Sequence, residues 1–185
     1  MIQQSIQTLL RKVAHRVAKN HLFEQPGERV PQQPIFQSST SKSVRLMSSA
    51  EIEEQMLSMP STKVVNHWAT WCSSCVDELD ILASIQSHIG AEKMLCISWD
   101  LFQTQDVEEG IQEVEQIAQS VGLECQQSVV RDDPDSFFQH FGLEEQLVPQ
   151  TFVYSDTFEV LYHRVGALTE EDIATIVNLV KGESR

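Results

Sequence analysis

The stretch that decides the fold is Lys63-Val-Val-Asn-His-Trp-Ala-Thr-Trp-Cys-Ser-Ser-Cys-Val-Asp-Glu-Leu79. Val64 and Val65, followed by Trp68, predict a buried strand. Val76, Leu79, Leu82 and Ile85 then recur at helical spacing, so Cys72-Ser73-Ser74-Cys75 falls on a strand-to-helix junction. A sulfur at the start of a helix meets unpaired backbone N–H groups and the positive end of the helix dipole, which favour a thiolate over a thiol. Only the thiolate is nucleophilic. A free cysteine titrates at roughly 8.5, and one in such a position, or in a Cys-x-x-Cys pair, at roughly 3.5–7.5.

Outward from this stretch the chain alternates strands and helices. Upstream, Val44 and Leu46 predict a short strand, Ser49 caps a helix through Met56 or Leu57, and Pro60 stops it. Downstream, the cysteine helix runs to about Ile89 and ends at Gly90. Met94 to Trp99 reads as a strand. Val107, Ile111, Val114, Ile117, Ala118 and Val121 mark a long helix closed by Gly122. This rhythm implies an α/β fold with a parallel core. Gln127 to Val130 is a weaker strand, followed by Asp132-Asp133-Pro134 and a short helix carrying Phe137, Phe138 and Phe141. Leu147-Val148-Pro149 leads into an antiparallel hairpin of Thr151–Tyr154 and Val160–Val165. Thr169 with Asp172 is a capping-box signature for a last helix that buries Ile173, Ile176, Val177 and Val180.

The first 43 residues read differently. In residues 1–23, Ile2, Ile6, Leu9, Leu10, Val13 and Val17 share one helical face, and Arg11, Lys12, Arg16 and Lys19 meet no acidic residue. This basic amphipathic helix is read as docked on the domain or frayed in solvent. A membrane-surface or partner contact through residues 1–22, or an organelle transit peptide, are the alternatives. Residues 24–43, rich in Pro, Gln and Ser, read as a linker. The domain proper is expected over 44–185.

A net charge of −14, with all 27 acidic residues from Glu24 onward, excludes nucleic acid and an anionic membrane surface as partners of the main body. The sequence contains no apolar run long enough for a membrane span and no recognisable secretory pattern, so the expected compartment is the cytoplasm. Four cysteines, Cys72, Cys75, Cys96 and Cys125, are too few for a disulfide scaffold. One close pair and two scattered thiols point to redox chemistry. A zinc site needs four ligands, and no second pair stands at ligand spacing, so neither a metal nor a cofactor is expected.

Three stretches resemble the thioredoxin superfamily, and more closely its TlpA/ResA-like branch of thiol-disulfide oxidoreductases. They are Val65-Asn66-His67-Trp68-Ala69-Thr70-Trp71-Cys72-Ser73-Ser74-Cys75, Glu78 three residues on, and Val148-Pro149-Gln150-Thr151-Phe152 ahead of the hairpin and last helix. The resemblance implies a thioredoxin-like three-layer fold, a central mixed β-sheet with helices on both faces. It implies that Cys72 attacks a substrate disulfide and Cys75, one turn in and less exposed, resolves the mixed disulfide. Pro149 corresponds to the family's cis-proline, whose loop leaves the backbone of Val148 free to pair with an extended substrate segment. Trp71 corresponds to the aromatic that offers an apolar contact, while Trp68 reads as core. Glu78 corresponds to an acid near the cysteines that takes or gives the proton of exchange. Asn66 stands where thioredoxin itself carries a buried acid.

The sequence departs from the family at His67, usually an aromatic, and at Asp80, usually a proline. His67 is read as a packing residue, and the cysteine helix is expected to run straighter. Cys96 is expected to be an inert buried hydrophobe and Cys125, in a polar neighbourhood, to be exposed, with a second redox role or an intermolecular disulfide as the alternative. The expected activity is thiol-disulfide exchange on protein disulfides or dithiols, coupled to an upstream reductant or oxidant, and reducing if cytosolic. A periplasmic or membrane-associated location is the alternative that the resemblance implies. Rival activities are a thiol peroxidase, against which Val65 and Ala69 replace the required Pro and Thr, and a redox-dependent binding or metal-delivery module, against which the cysteine spacing argues.

Overall fold

The computed structural model describes residues 44–60, 62–104 and 106–182. The expected helix at 1–23 and linker at 24–43 lie outside the described residues. In chain order the elements are β1 (Val44–Met47), α1 (Ser49–Ser58), β2 (Lys63–Trp68), α2 (Ser73–Asp77), α3 (Leu79–Ile89), β3 (Met94–Ser98), α4 (Val107–Ser120), β4 (Gln126–Val130), α5 (Pro134–Phe141), β5 (Gln150–Tyr154), β6 (Val160–Val165) and α6 (Glu170–Lys181).

The strands form one sheet in the order β1-β4-β3-β2-β5-β6. β1, β4, β3 and β2 run parallel, while β5 is antiparallel to β2 and β6 to β5. The four parallel strands are connected through helices, which cover both faces, so β2 and β3 are buried along their whole length. Alternate side chains sort into two cores. Val64, Trp68, Met94, Cys96 and Val129 meet the apolar faces of α3, α4 and α6 on one side. On the other, Val65, Leu95, Ile97 and Val130 meet Ile52 and Met56 of α1 and Phe137 and Phe138 of α5. The expected mixed sheet with helices on both faces is present.

Two local expectations are corrected. Ser48, not Ser49, caps α1: its N–H donates to Glu51 Oε2 at 2.8 Å, and Glu51 N–H returns a 3.4 Å bond to Ser48 Oγ. Ser49 instead donates, from N–H at 2.7 Å and Oγ at 2.6 Å, to Asp132 Oδ2, fastening α1 to the loop after β4. Nor does the cysteine helix run straight to Ile89. It is interrupted at Glu78, which ends α2 and precedes α3 without any proline. The interruption falls where the Glu78 carboxyl is drawn inward by two hydrogen bonds from outside the helix, described below.

Candidate active site

β2 carries the chain to Trp68, fully buried, and Ala69-Thr70-Trp71 then turns it into α2 with Cys72 as the N-cap (φ −96°, ψ 104°). Cys72 and Cys75 are joined by a disulfide with their Cα atoms 5.2 Å apart. Cys72 is half-buried and Cys75 fully buried, so only the first sulfur is open to a large partner. Cys72 Sγ accepts a 3.3 Å hydrogen bond from Cys75 N–H and lies 3.4 Å from Ser74 Oγ. Both donors stabilise negative charge on that sulfur once the bond is reduced.

The Val148–Pro149 bond is cis. Val148 O lies 3.7 Å from Cys72 Sγ, and Pro149 O accepts from Gly166 N–H at 2.9 Å, which lays this loop beside the disulfide. Trp71, Val76 and Leu147 remain exposed although apolar. An open groove lined by Thr70, Trp71, Glu113, Gln116 and Ile117 adjoins Trp71.

Glu78 is 1% exposed, which excludes a solvated helix carboxylate. Its Oε1 accepts from Asn66 Nδ2 at 2.9 Å and its Oε2 from Leu168 N–H at 2.6 Å. Burial pushes its pKa up to about 7, against the pull of those two donors and of Arg164. Asn66 Nδ2 also donates to Thr151 Oγ1 at 3.0 Å. The helix junction thus lowers the Glu78 carboxyl onto Asn66.

His67 faces the opposite core. Its Nδ1 accepts a 3.2 Å bond from Trp99 Nε1, and its ring meets Trp99, Phe137 and Phe152 edge-on. Burial, with a smaller contribution from His163, lowers its pKa to about 3, so it stays neutral and apart from the sulfurs.

Comparison with known proteins gives two results. No family model and no curated protein sequence matches the chain. Solved structures do match. A thioredoxin-related protein from Neisseria meningitidis serogroup B is 17% identical, with 68% of this chain and 90% of that one covered and a TM-score of 0.53. A thiol:disulfide interchange protein of the thioredoxin family from Chlorobium tepidum is 19% identical, with 69% and 83% covered and a TM-score of 0.51. A secreted thiol-disulfide isomerase from Corynebacterium glutamicum is 17% identical, with 66% and 72% covered and a TM-score of 0.52. The chain has a thioredoxin-like fold.

In this thioredoxin-like domain Cys72, Cys75, Val148 and Pro149 come together, with Trp71 exposed beside them. Glu78 is buried and accepts from the N–H of Leu168, whose side chain packs in the same core layer as Cys75. Asp100 is the residue that sequence reasoning missed. It is 2% exposed, directly beyond β3, and its carboxylate accepts from Thr70 N–H at 3.1 Å and from the hydroxyls of Thr70 and Ser98. With the 2.9 Å bond from Trp99 N–H to Trp68 O, it holds the loop that delivers Cys72. An acid immediately after an apolar strand was the available signal, but the strand pairing was needed to aim it. Asp100→Ala leaves these donors without an acceptor, and urea unfolding is expected to show a loss of about 1–3 kcal/mol.

One expectation is overturned. Cys125 is not exposed: it is buried at 1% beside Cys96, in the same core layer. Its polar sequence neighbours Glu124 and Gln126 belong to a turn and a strand start that direct the sulfur inward.

Proposed function

We propose that this domain is a thiol-disulfide oxidoreductase of the TlpA/ResA-like branch, exchanging the Cys72–Cys75 disulfide with disulfides or dithiols of protein substrates. The observation that carries the reading is the asymmetry of the pair. Cys72 is half-buried at a helix start with two donors on its sulfur, and Cys75 is fully buried beneath it. Reduced Cys72 attacks a substrate sulfur, and the substrate's other sulfur leaves as a thiolate. Cys75 then attacks Cys72, releasing the second substrate sulfur and restoring the internal disulfide. Glu78 accepts the proton that Cys75 loses, a role suited to a buried carboxyl that titrates near neutrality. Val148 offers backbone pairing to an extended substrate segment, and Trp71 and Leu147 offer apolar contact.

The fold neighbour from C. glutamicum is described as secreted. The compartment proposed is accordingly an exported one, rather than the expected cytoplasm, for which there is no support. Among the described residues no helix is long and apolar enough to cross a membrane. Net direction follows from the potential of the couple: near −270 mV it reduces its substrates, near −120 mV it oxidises them, on the order of the known family values.

The test is equilibration of the purified chain with glutathione redox buffers, followed by thiol alkylation and an insulin-reduction assay. A single two-electron transition assigned to Cys72 and Cys75, with turnover of insulin disulfides, is expected. Absence of that transition, or a transition without turnover in either direction, overturns the reading.

A further inference from the structure

Cys96 and Cys125 are separated by 29 positions in the chain, yet their sulfurs lie 3.6 Å apart. Cys96 is the middle residue of β3, paired in register with Gln127 of β4, and Cys125 directly precedes β4. The strand alternation that turns Cys96 and Gln127 to one face also turns Cys125 to it. The position of Cys125 is held on two sides. Its N–H donates to Gln86 Oε1 at 2.8 Å, and its sulfur accepts from Gln127 Nε2 at 3.3 Å. At 3.6 Å the sulfurs are in contact, about 1.6 Å beyond the bonded distance.

We propose that Cys96 and Cys125 form a second redox pair, which closes to a buried disulfide joining β3 to the start of β4 by exchange with a small-molecule disulfide such as oxidised glutathione. Cys125 is the first nucleophile, because it lies just outside β4 at the turn that opens, whereas Cys96 is held in the middle of β3. The Cys96 thiol, by contrast, is held protonated by its hydrogen bond to Cys125 and by burial. The Cys125 thiolate attacks one sulfur of glutathione disulfide, giving a Cys125–glutathione mixed disulfide and one glutathione thiolate. Cys96 passes its proton to that thiolate and attacks the Cys125 sulfur, expelling the second glutathione, which takes the proton first lost by Cys125. Two cysteine thiols are oxidised and one glutathione disulfide is reduced to two thiols.

Burial sets the conditions. With Cys96 and Cys125 0% and 1% exposed, a reagent reaches neither sulfur in the closed domain. The bond therefore forms while the chain folds, or when the turn between α4 and β4 opens. It is then shielded from reductants that reach Cys72. This separates a slow, structural couple from the fast exchange of the Cys72–Cys75 pair and does not depend on the function proposed for that pair.

The full-length chain carrying Cys72→Ser and Cys75→Ser isolates the second couple. After refolding with oxidised glutathione, then unfolding, alkylation and peptide mass spectrometry, the Cys96 and Cys125 peptides are expected to be cross-linked and unalkylated. The melting temperature is expected to lie about 5–15 °C above that of the reduced form. Cys96→Ala in this background is expected to abolish the cross-link and leave glutathione on Cys125. Full alkylation of both thiols, or glutathione on each without a cross-link, overturns the proposal. The unsubstituted chain refolded the same way gives an independent reading: a cross-linked Cys96–Cys125 peptide pair supports it, and free thiols or glutathione at both Cys96 and Cys125 overturn it.

Discussion

Cys72→Ser is expected to reduce disulfide exchange on the order of 10³-fold or more, because a serine hydroxyl neither ionises near neutrality nor forms a mixed disulfide. Cys75→Ser has a different signature. Attack by Cys72 survives, but the mixed disulfide can no longer be resolved from within, so substrate accumulates covalently on Cys72. The difference follows from exposure: Cys72 is the half-open N-cap, and Cys75 is fully buried one turn on. Non-reducing electrophoresis and mass spectrometry of Cys75→Ser with a disulfide-bonded protein substrate check this. If Cys72→Ser traps as much substrate as Cys75→Ser, the assignment of the two sulfurs is wrong. The disulfide closes only a short loop, so both variants are expected to keep the fold, and circular dichroism tests that directly.

The second large effect is on stability against pH. Glu78 carries a pKa raised from 4.5 to about 7, by burial first of all. Between those values the unfolded chain has lost the proton while the folded domain still holds it. The unfolded state therefore binds fewer protons, and stability falls as pH rises. The contribution is fully present below about 4.5, declines through about 7 and amounts to about 3 kcal/mol. Glu78→Gln removes the titration. Urea unfolding of this variant is expected to lose that decline between pH 5 and 7, and to show it more stable than the unsubstituted chain at pH 8 by about 1–3 kcal/mol, since glutamine is neutral but satisfies one fewer donor. Under the proposed mechanism the same variant slows the Cys75 step about 10²-fold at pH 7. A variant that is stabler and slower identifies a functional buried acid. One that matches the unsubstituted chain in both removes Glu78 from the site.

Most elements were legible because their signals are local. The apolar run Val64–Val65 with Trp68, the phased Leu79, Leu82 and Ile85, the Thr169–Asp172 cap and the glycines that end α3 and follow α4 act within a few residues. They appear where spacing puts them. The Cys-Ser-Ser-Cys site was legible for the same reason, since its two sulfurs need only one turn of helix. Glu78 could be named from the resemblance but its state could not. Burial raises its pKa against two donors 12 and 90 positions away that hold it down, and none of these is a property of the helix it leaves. The helix was expected to straighten for want of a proline, whereas it breaks at Glu78.

Cys125 and Asp100 mark the limit most clearly. Cys125 sits among polar neighbours, which suggests exposure, yet the parallel pairing of β3 with β4 turns it inward against Cys96. Asp100 looks like any acid after a strand until β2 and β3 end side by side and the Thr70 N–H and hydroxyl point at its carboxylate. The amino-acid order by itself determined the periodicities, the caps and the redox pair, because those depend on neighbours a turn or a strand away. Only the tertiary structure decided which carboxyl is buried with a raised pKa, which loop is anchored and which two distant sulfurs touch, because burial and partnership are set by strands that meet across the sheet.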